Sequence, residues 1–318
     1  MYPDIICLGE LLVEIMRQQV DIPHSEIGKI YNGPYPSGAP AIFIDSVARM
    51  SKPFNLSTGI FGVVGNDEFG ECIINKIKTD GVDISKVRIL DNYTTGIAFN
   101  QYNSDGSRKF IFASGAAGKI YPEAINEKYF SNVKALHITG SALSISKSSQ
   151  ESCYKAIEIA KRKNPNVTIS FDPNLRSEML DLEKILELSK LVLKNTFILL
   201  PSGEEAEMLA GVDDAVNACI SLLDHGPKVI VLKLGKKGCI IFTDKNKKGI
   251  EVPGFEVKEI DPTGAGDSFG GAFIVGYLAG WSFAKIGRFA NAVGALKVQH
   301  FGPMPDTTYE DVEMFMKR

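Results

Sequence analysis

Cysteine, histidine, tryptophan and excess charge are all scarce in this chain of 318 residues, and each scarcity closes off a class of function. The five cysteines (Cys7, Cys72, Cys153, Cys219, Cys239) are odd in number and never closely paired. That excludes a disulfide framework or a zinc ribbon and reads as buried thiols in a reducing compartment. The four histidines lie far apart and no HExxH occurs, so nothing predicts a histidine-based metal site. Lys plus Arg number 35 against 38 Asp plus Glu, a formal net charge of −3. A nucleic-acid binder usually carries a strongly basic face, so no nucleic-acid partner is expected. Long apolar runs are missing too. The longest uncharged stretch, Ser268 to Ala284, is interrupted by glycines and is shorter than the roughly 20 apolar residues of a spanning helix. The N-terminus carries Asp4 and Glu10 and lacks the basic start and small-residue cleavage site of a signal peptide. Together these absences predict a cytoplasmic protein with no membrane partner.

What remains is ordinary globular composition, 44% hydrophobic and 23% charged. At about 150 residues per domain the length gives a soft count of two, and one large α/β domain with an added flap fits equally well. Apolar runs of strand length (Ile5–Leu8, Ile60–Val64, Ala135–Ile138, Val167–Phe171, Phe197–Leu200, Val229–Lys233) alternate with helical patterns near 40–50, 67–79, 148–163, 179–194 and 203–223. This alternation predicts βαβ units and a mostly parallel sheet covered on both faces. Residues 11–36 and 87–113 break the rhythm with period-two segments, and Asp105-Gly106 between two of them is a strong hairpin signal. They predict a small antiparallel flap, which pattern alone fits equally to a lid or to a surface hairpin.

The most informative stretch runs from Asp261 to Gly271, DPTGAGDSFGG, followed by a long apolar helical pattern. It reads as a strand end, a tight turn and the opening of a helix. The N–H groups of Gly264, Ala265 and Gly266 would then be unpaired donors of a first helical turn, an anion site that glycines let a phosphate approach closely. Asp267 falls within that turn. A base that accepts a hydroxyl proton during phosphoryl transfer accounts for a carboxylate there, and a plain helix cap accounts for it as well. A rival lies in the same letters, because Gly266-Asp267-Ser268-Phe269-Gly270 matches the G-x-S-x-G elbow of serine hydrolases. Pro262 to Ala265, however, would leave Ser268 already inside a helix. No GxxxxGK[ST] occurs, and Leu8-Gly9-Glu10 opens no GxGxxG turn, so the Walker and Rossmann readings fail.

Asp261 to Phe269 resembles the C-terminal signature of the ribokinase-like carbohydrate kinases, the PfkB family. Val64-Gly65-Asn66-Asp67-Glu68-Phe69-Gly70 resembles that family's VGxDxFG segment, and Ser37-Gly38-Ala39-Pro40-Ala41 its sugar-side turn. Asp172-Pro173-Asn174-Leu175-Arg176 is similar to its DxNxR element, Ser202-Gly203-Glu204-Glu205 to its NxxE motif, and Lys233 to Gly238 to its KxGxxG turn beside the nucleotide. The likeness runs in order from about residue 5 to 303. It implies one kinase domain over 1–318, a three-layer α/β/α fold with a β lid from about 11–36 and 87–113, and ATP with Mg2+ as cofactors. A K+ site beside the glycine loop is common in the family, though no residue pattern here marks one.

Carried over by position, the resemblance implies Asp267 as general base and Gly264, Ala265 and Gly266 as the anion hole. It implies Glu205 at Mg2+ through water, with a solvated helix face as the bland alternative. Lys233, Gly235, Gly238 and Asn291 would line the nucleotide. Glu14, Gly38, Ala39, Arg108, Arg176 and Asp261 would line the sugar, with Asp261 alternatively ordering the turn and Arg176 alternatively closing a surface helix start. Departures bear on the sugar: Ile42 stands where the family's turn usually has Asn, Glu14 where Asp is frequent on the first strand, and Ser202 where the NxxE asparagine would be. The turn looks most like that of kinases for free ketohexoses such as tagatose or fructose, and DPNLR is also similar to kinases for 2-dehydro-3-deoxygluconate. Nucleoside kinases and an inactive sugar sensor are more remote. Pairing of two copies through their lids is implied as well.

Overall fold

The computed structural model describes residues 2–105 and 107–317. In chain order, β1 (Ile5–Leu8) leads into β2 (Leu12–Arg17), β3 (Tyr31–Ser37), helix α1 (Ala39–Met50), β4 (Thr58–Gly65), α2 (Glu68–Asp80) and β5 (Val82–Leu90). Strands β6 (Gly96–Tyr102) and β7 (Arg108–Ala113) follow, then β8 (Ala135–Thr139), α3 (Gly140–Ser144), α4 (Lys147–Lys163), β9 (Thr168–Asp172), α5 (Leu182–Asn195) and β10 (Ile198–Leu199). The last third holds α6 (Gly203–Ala210), α7 (Ala215–Leu222), β11 (Val229–Lys233), β12 (Gly238–Thr243), β13 (Asn246–Pro253), α8 (Ala265–Leu278), α9 (Phe283–Val298) and α10 (Tyr309–Met316).

Nine strands form the main sheet in the order β13-β12-β11-β10-β9-β8-β1-β4-β5. From β11 to β5 neighbouring strands pair in parallel, and only β12 enters antiparallel. The central strands are apolar along their whole length, as in β8, because helices cover both faces and leave no solvated side to alternate toward. One face packs on α1, α8 and α9 through Phe43, Phe273 and Phe289, and the other on α4, α5 and α7 through Ile157, Val192 and Leu222. The fold is a three-layer α/β architecture with a mostly parallel central sheet.

Four strands form a separate lid sheet in the order β3-β2-β6-β7. The expected antiparallel flap is corrected here, since its central pair, β2 and β6, runs parallel. The two strands are not joined by a hairpin; each is reached separately from the main sheet, β2 after β1 and β6 after β5, so they leave it in the same direction. The lid boundary also shifts. Residues 87–90 belong to β5, an edge strand of the main sheet, and only the strands over 12–37 and 96–113 build the lid. An edge strand mixes exposed and half-buried residues as the lid strand β7 does, which is why sequence pattern merged them. The β6–β7 hairpin is present, closed by the Asn103 N–H on Ser107 O at 2.9 Å, while Gly106 of its turn lies outside the described residues.

Two helical boundaries differ from expectation. The pattern over 203–223 is two helices, because Gly211 ends α6 in the left-handed region at φ 66 and Asp214 caps the start of α7. Helix α5 begins at Leu182, after its cap Asp181, rather than near 179. No described helix is long and apolar enough to cross a membrane. The five cysteines are free, four buried and Cys72 half-buried.

Candidate active site

Parallel strands deliver their C-terminal ends to one edge of the sheet, and the loops there carry most of the residues singled out from sequence. Gly264 begins the build. It caps α8 in the left-handed region at φ 78, where a side chain would be strained, and a Cβ would come within 3.0 Å of Pro303 O. At the start of α8 the Ala265 N–H, expected as part of the anion hole, donates instead to Pro262 O at 3.2 Å, while the N–H groups of Gly266 and Asp267 have no acceptor one turn back. Ile42, in the position where a hydroxyl contact was missed, packs beneath Gly264 at 3.1 Å from that same Cβ position.

Asp267 sits in the first turn of α8, half-buried, with the Asn174 amide donating to its Oδ1 at 3.4 Å. Burial raises its pKa and the Asp172 carboxylate raises it further, while Lys233 and Arg176 pull it down. Asp172 ends β9 and Lys233 ends β11, and the two form a 2.6 Å ion pair behind the loop. The Lys233 ammonium stands 3.5 Å from where a Cβ of Gly266 would be, close to any anion held by the loop. Ser268, by contrast, lies inside α8 with its hydroxyl buried and unpaired, which removes the hydrolase elbow.

Glu205 is not on a solvated helix face. Its Oε2 accepts the Ser202 N–H at 2.7 Å in a capping box, and its Oε1 accepts the Leu175 N–H at 3.2 Å. The carboxylate therefore ties α6 to the Asp172–Arg176 loop at the rim of the cleft. Gly235 and Gly238 bracket the turn from β11 to β12, and the Asn291 amide donates to Val252 O and Pro253 O, both at 3.1 Å, holding α9 against the end of β13.

The sugar-side residues converge under the lid. Gly38 has φ 108, and a Cβ there would stand 2.2 Å from Glu10 O, so the chain can turn into α1 at Ala39 only through glycine. Glu14 on β2 accepts the Ser37 hydroxyl at 3.1 Å on one oxygen, and its other oxygen is buried without a partner. Burial raises its pKa to about 7. Arg108 and Arg176, one from the lid and one from the main body, both place their guanidinium 5.6 Å from the Phe110 ring. Arg176 closes no helix start; it belongs to the loop before α5.

Asp261 takes the turn-ordering role. It is fully buried, its Oδ1 accepting the Tyr102 hydroxyl at 2.6 Å and the Thr263 N–H at 2.9 Å, and its Oδ2 the Gly302 N–H at 2.9 Å. The VGxDxFG-like segment is structural as well: Asp67 caps α2 and accepts the Thr95 N–H at 2.7 Å, rooting the lid. Sequence reading missed three groups. Glu10, at the end of β1, is 2% exposed with an unpaired Oε2 and a pKa raised by burial to about 7. Tyr102 hooks the lid to the glycine loop, also meeting the Thr263 hydroxyl at 2.6 Å. Lys297 is buried beneath that loop. Only Glu10 carried a signal, an acidic residue directly after an apolar strand.

With this geometry in place, comparison with known proteins is informative. Residues 3–308 match the model of the pfkB family carbohydrate kinases. The chain is 30% identical over 324 residues to the 5-dehydro-2-deoxygluconokinase of Clostridium perfringens, covering 99% of this chain and 93% of that protein. It is 28% identical over 314 residues to fructokinase-2 of Solanum lycopersicum, with 95% and 92% covered. An E. coli structure with ATP and Mg2+ bound, provisionally named ribokinase II, superposes with a TM-score of 0.90 at 38% identity over 99% of each chain. With residues 3–308 matched by the family model, the chain belongs to the pfkB family of carbohydrate kinases, sugar kinases that transfer a phosphoryl group to an alcohol.

Proposed function

We propose that the chain phosphorylates a hydroxyl of a free ketohexose of the tagatose or fructose type, with ATP as donor and Mg2+ as its counter-ion. The observation that carries this reading is the pairing of Asp267 with the first-turn N–H groups of α8 at the Gly264–Gly266 turn, where only the Ala265 N–H is already held, by Pro262 O at 3.2 Å: one group that removes a proton beside others that hold an anion. Asp267 would take the proton of the attacking sugar hydroxyl while its oxygen bonds the γ-phosphorus and the bond to the bridging oxygen of ADP breaks. Gly264 and Gly266 would receive the transferring phosphoryl oxygens, with the Ala265 N–H held by Pro262 O, and Lys233 adds positive charge behind them. Among the described residues no three His, Cys, Asp or Glu side chains gather as a metal cage. The residues fit a largely hydrated ion carried on phosphates, with Glu205 at the rim reaching it through water. When bound, Mg2+ supplies neutralisation of phosphate charge. Gly235, Gly238 and Asn291 would flank the base.

Neutral sugars suit the floor of the site. Glu10 and Glu14 each present a buried oxygen without a donor, which a sugar hydroxyl satisfies and a sugar carboxylate would repel. A second reading, a keto-sugar acid, has one observation in its favour: Arg108 and Arg176 flank Phe110, and two guanidinium groups suit a carboxylate placed there. ADP release over a panel of tagatose, fructose, ribose, 2-dehydro-3-deoxygluconate, 5-dehydro-2-deoxygluconate and adenosine separates them. Turnover led by a ketohexose is the expected result. A preference for either sugar acid overturns the first reading for the second, and turnover confined to adenosine refutes both. Exposed apolar side chains of the lid, Ile111 on β7 and Ile27 and Ile30 in the loop between β2 and β3, suit a lid-to-lid homodimer, which sedimentation would detect.

A further inference from the structure

Beneath the glycine loop lies a small cage of oxygens. Asp261 O, His300 O and Asp261 Oδ2 face one point, from the irregular segment entering the loop and from the chain leaving α9. A monovalent metal ion beside this loop is what the family resemblance implies, and an oxygen-lined cage is the chemistry such an ion requires. The point is taken. Lys297, 1% exposed on α9, brings its ammonium there, 2.7 Å from Asp261 O, 3.2 Å from His300 O and 3.4 Å from Asp261 Oδ2.

The surrounding acceptors are also committed. Val298 O receives the N–H groups of Ile260 at 2.7 Å and Asp261 at 3.1 Å. Both Asp261 oxygens already serve Tyr102, Thr263 and Gly302. A metal ion would have to displace donors and lie against a like charge in a buried space, where repulsion is poorly screened. The ammonium cannot leave cheaply either, since removing one partner of a buried ion pair strands the other charge.

We infer that the Lys297 ammonium is the resident cation of the glycine loop, a tethered substitute for K+, so that this kinase needs no monovalent metal ion. Lys297 touches neither phosphate nor sugar. It is a positioning residue, which fixes the Asp261 backbone three residues before Gly264 and so sets the aim of the loop's N–H groups. The inference rests on the kinase reading for its activity arm but not for its stability arm.

The test compares potassium chloride with tetramethylammonium chloride at equal ionic strength, reading melting temperature and turnover of the wild type, Lys297→Ala and Lys297→Gln. The wild type is expected to be indifferent to the cation in both readouts. Lys297→Ala empties a space of ionic size, and its turnover is expected to fall about 100-fold through the shifted loop. K+ should restore both turnover and melting temperature in that variant but not in Lys297→Gln, whose amide still fills the space. A wild type whose melting temperature or turnover climbs with K+ overturns the inference, as does a folded Lys297→Ala that K+ leaves unchanged. If neither variant folds in any salt, the wild-type melting comparison decides alone. Absence of turnover in every salt with a cation-indifferent melting temperature would count against the proposed reaction and leave the tethered cation standing.

Discussion

Asp267 is asked to be a base at neutral pH, and its surroundings set where that base switches on. Burial and Asp172 raise its pKa, while Lys233 and Arg176 oppose them. A base works only when deprotonated, so kcat/KM should fall as pH drops through this raised value, placing the acid limb above the ordinary carboxylate range near 3.9. Asp267→Asn should lower kcat by about 10²- to 10⁴-fold with little change in KM. Near-normal kcat in that variant would remove the assignment. Asp172→Asn offers a finer check, because it deletes the charge that raises Asp267 and leaves Lys233 free to lower it. Its acid limb should shift to lower pH, and an unmoved limb would separate Asp172 from the base. Asp267 was legible because a glycine loop announces itself by composition. Glu10 carried only the weak signal of an acid just past an apolar strand, and Tyr102 and Lys297 carried none, since a lone Tyr or Lys says nothing until the fold supplies its partner; the Tyr102 partner Asp261 lies 159 residues away.

At the scale of elements, the strand signals that rest on local period survived best. Val229–Lys233 is β11 as read, and β6 and β7 pair antiparallel on either side of the Asp105-Gly106 signal, whose Gly106 lies outside the described residues. What failed was pairing direction, because β2 and β6 meet across an intervening β-α-β excursion of the main sheet whose path no local pattern encodes. Helix α6 likewise merged with α7 in sequence because both segments are rich in helix-forming apolar residues and only Gly211 and Asp214 mark the break between them. The lid is tied to the glycine loop through the Tyr102 hydroxyl. Tyr102 at the end of β6 donates to Asp261 and meets Thr263, both at 2.6 Å. Removing that hydroxyl deletes a bond to a charged acceptor, so Tyr102→Phe should cost about 1.5–3 kcal/mol of stability. Because the same contact aligns lid and loop, kcat should fall as well as sugar affinity. Thermal melting with steady-state kinetics tests both; a variant with wild-type melting and kcat would show that the latch carries no strain between the two sheets.

The whole molecule carries a cost in its cleft that should be visible in its pH dependence. Glu10 and Glu14 both have pKa values raised by burial from 4.5 to about 7, each keeping one oxygen without a donor. A raised folded pKa means that the folded state holds its protons longer than the unfolded chain. Stability from these groups is therefore greatest below the unfolded value and is lost as pH rises toward 7, by about 1.4 kcal/mol per group for each pH unit climbed between the unfolded and folded values. Carboxyls held low despite burial, such as Asp67 through Thr95 and Asp261 through Lys297, change their contribution only below the ordinary range and do not offset this. The free enzyme should thus melt at lower temperature at about pH 8 than at about pH 5.5. Glu14→Gln and Glu10→Gln should each flatten that slope, with melting raised at the alkaline end and nearly unchanged at the acid end. A bound sugar supplies the missing hydroxyl donors, so its stabilisation should grow with pH in the wild type and shrink in both variants. Slopes that match between wild type and variants would mean that neither carboxyl is buried in solution, and the sugar floor built on them would fall with it.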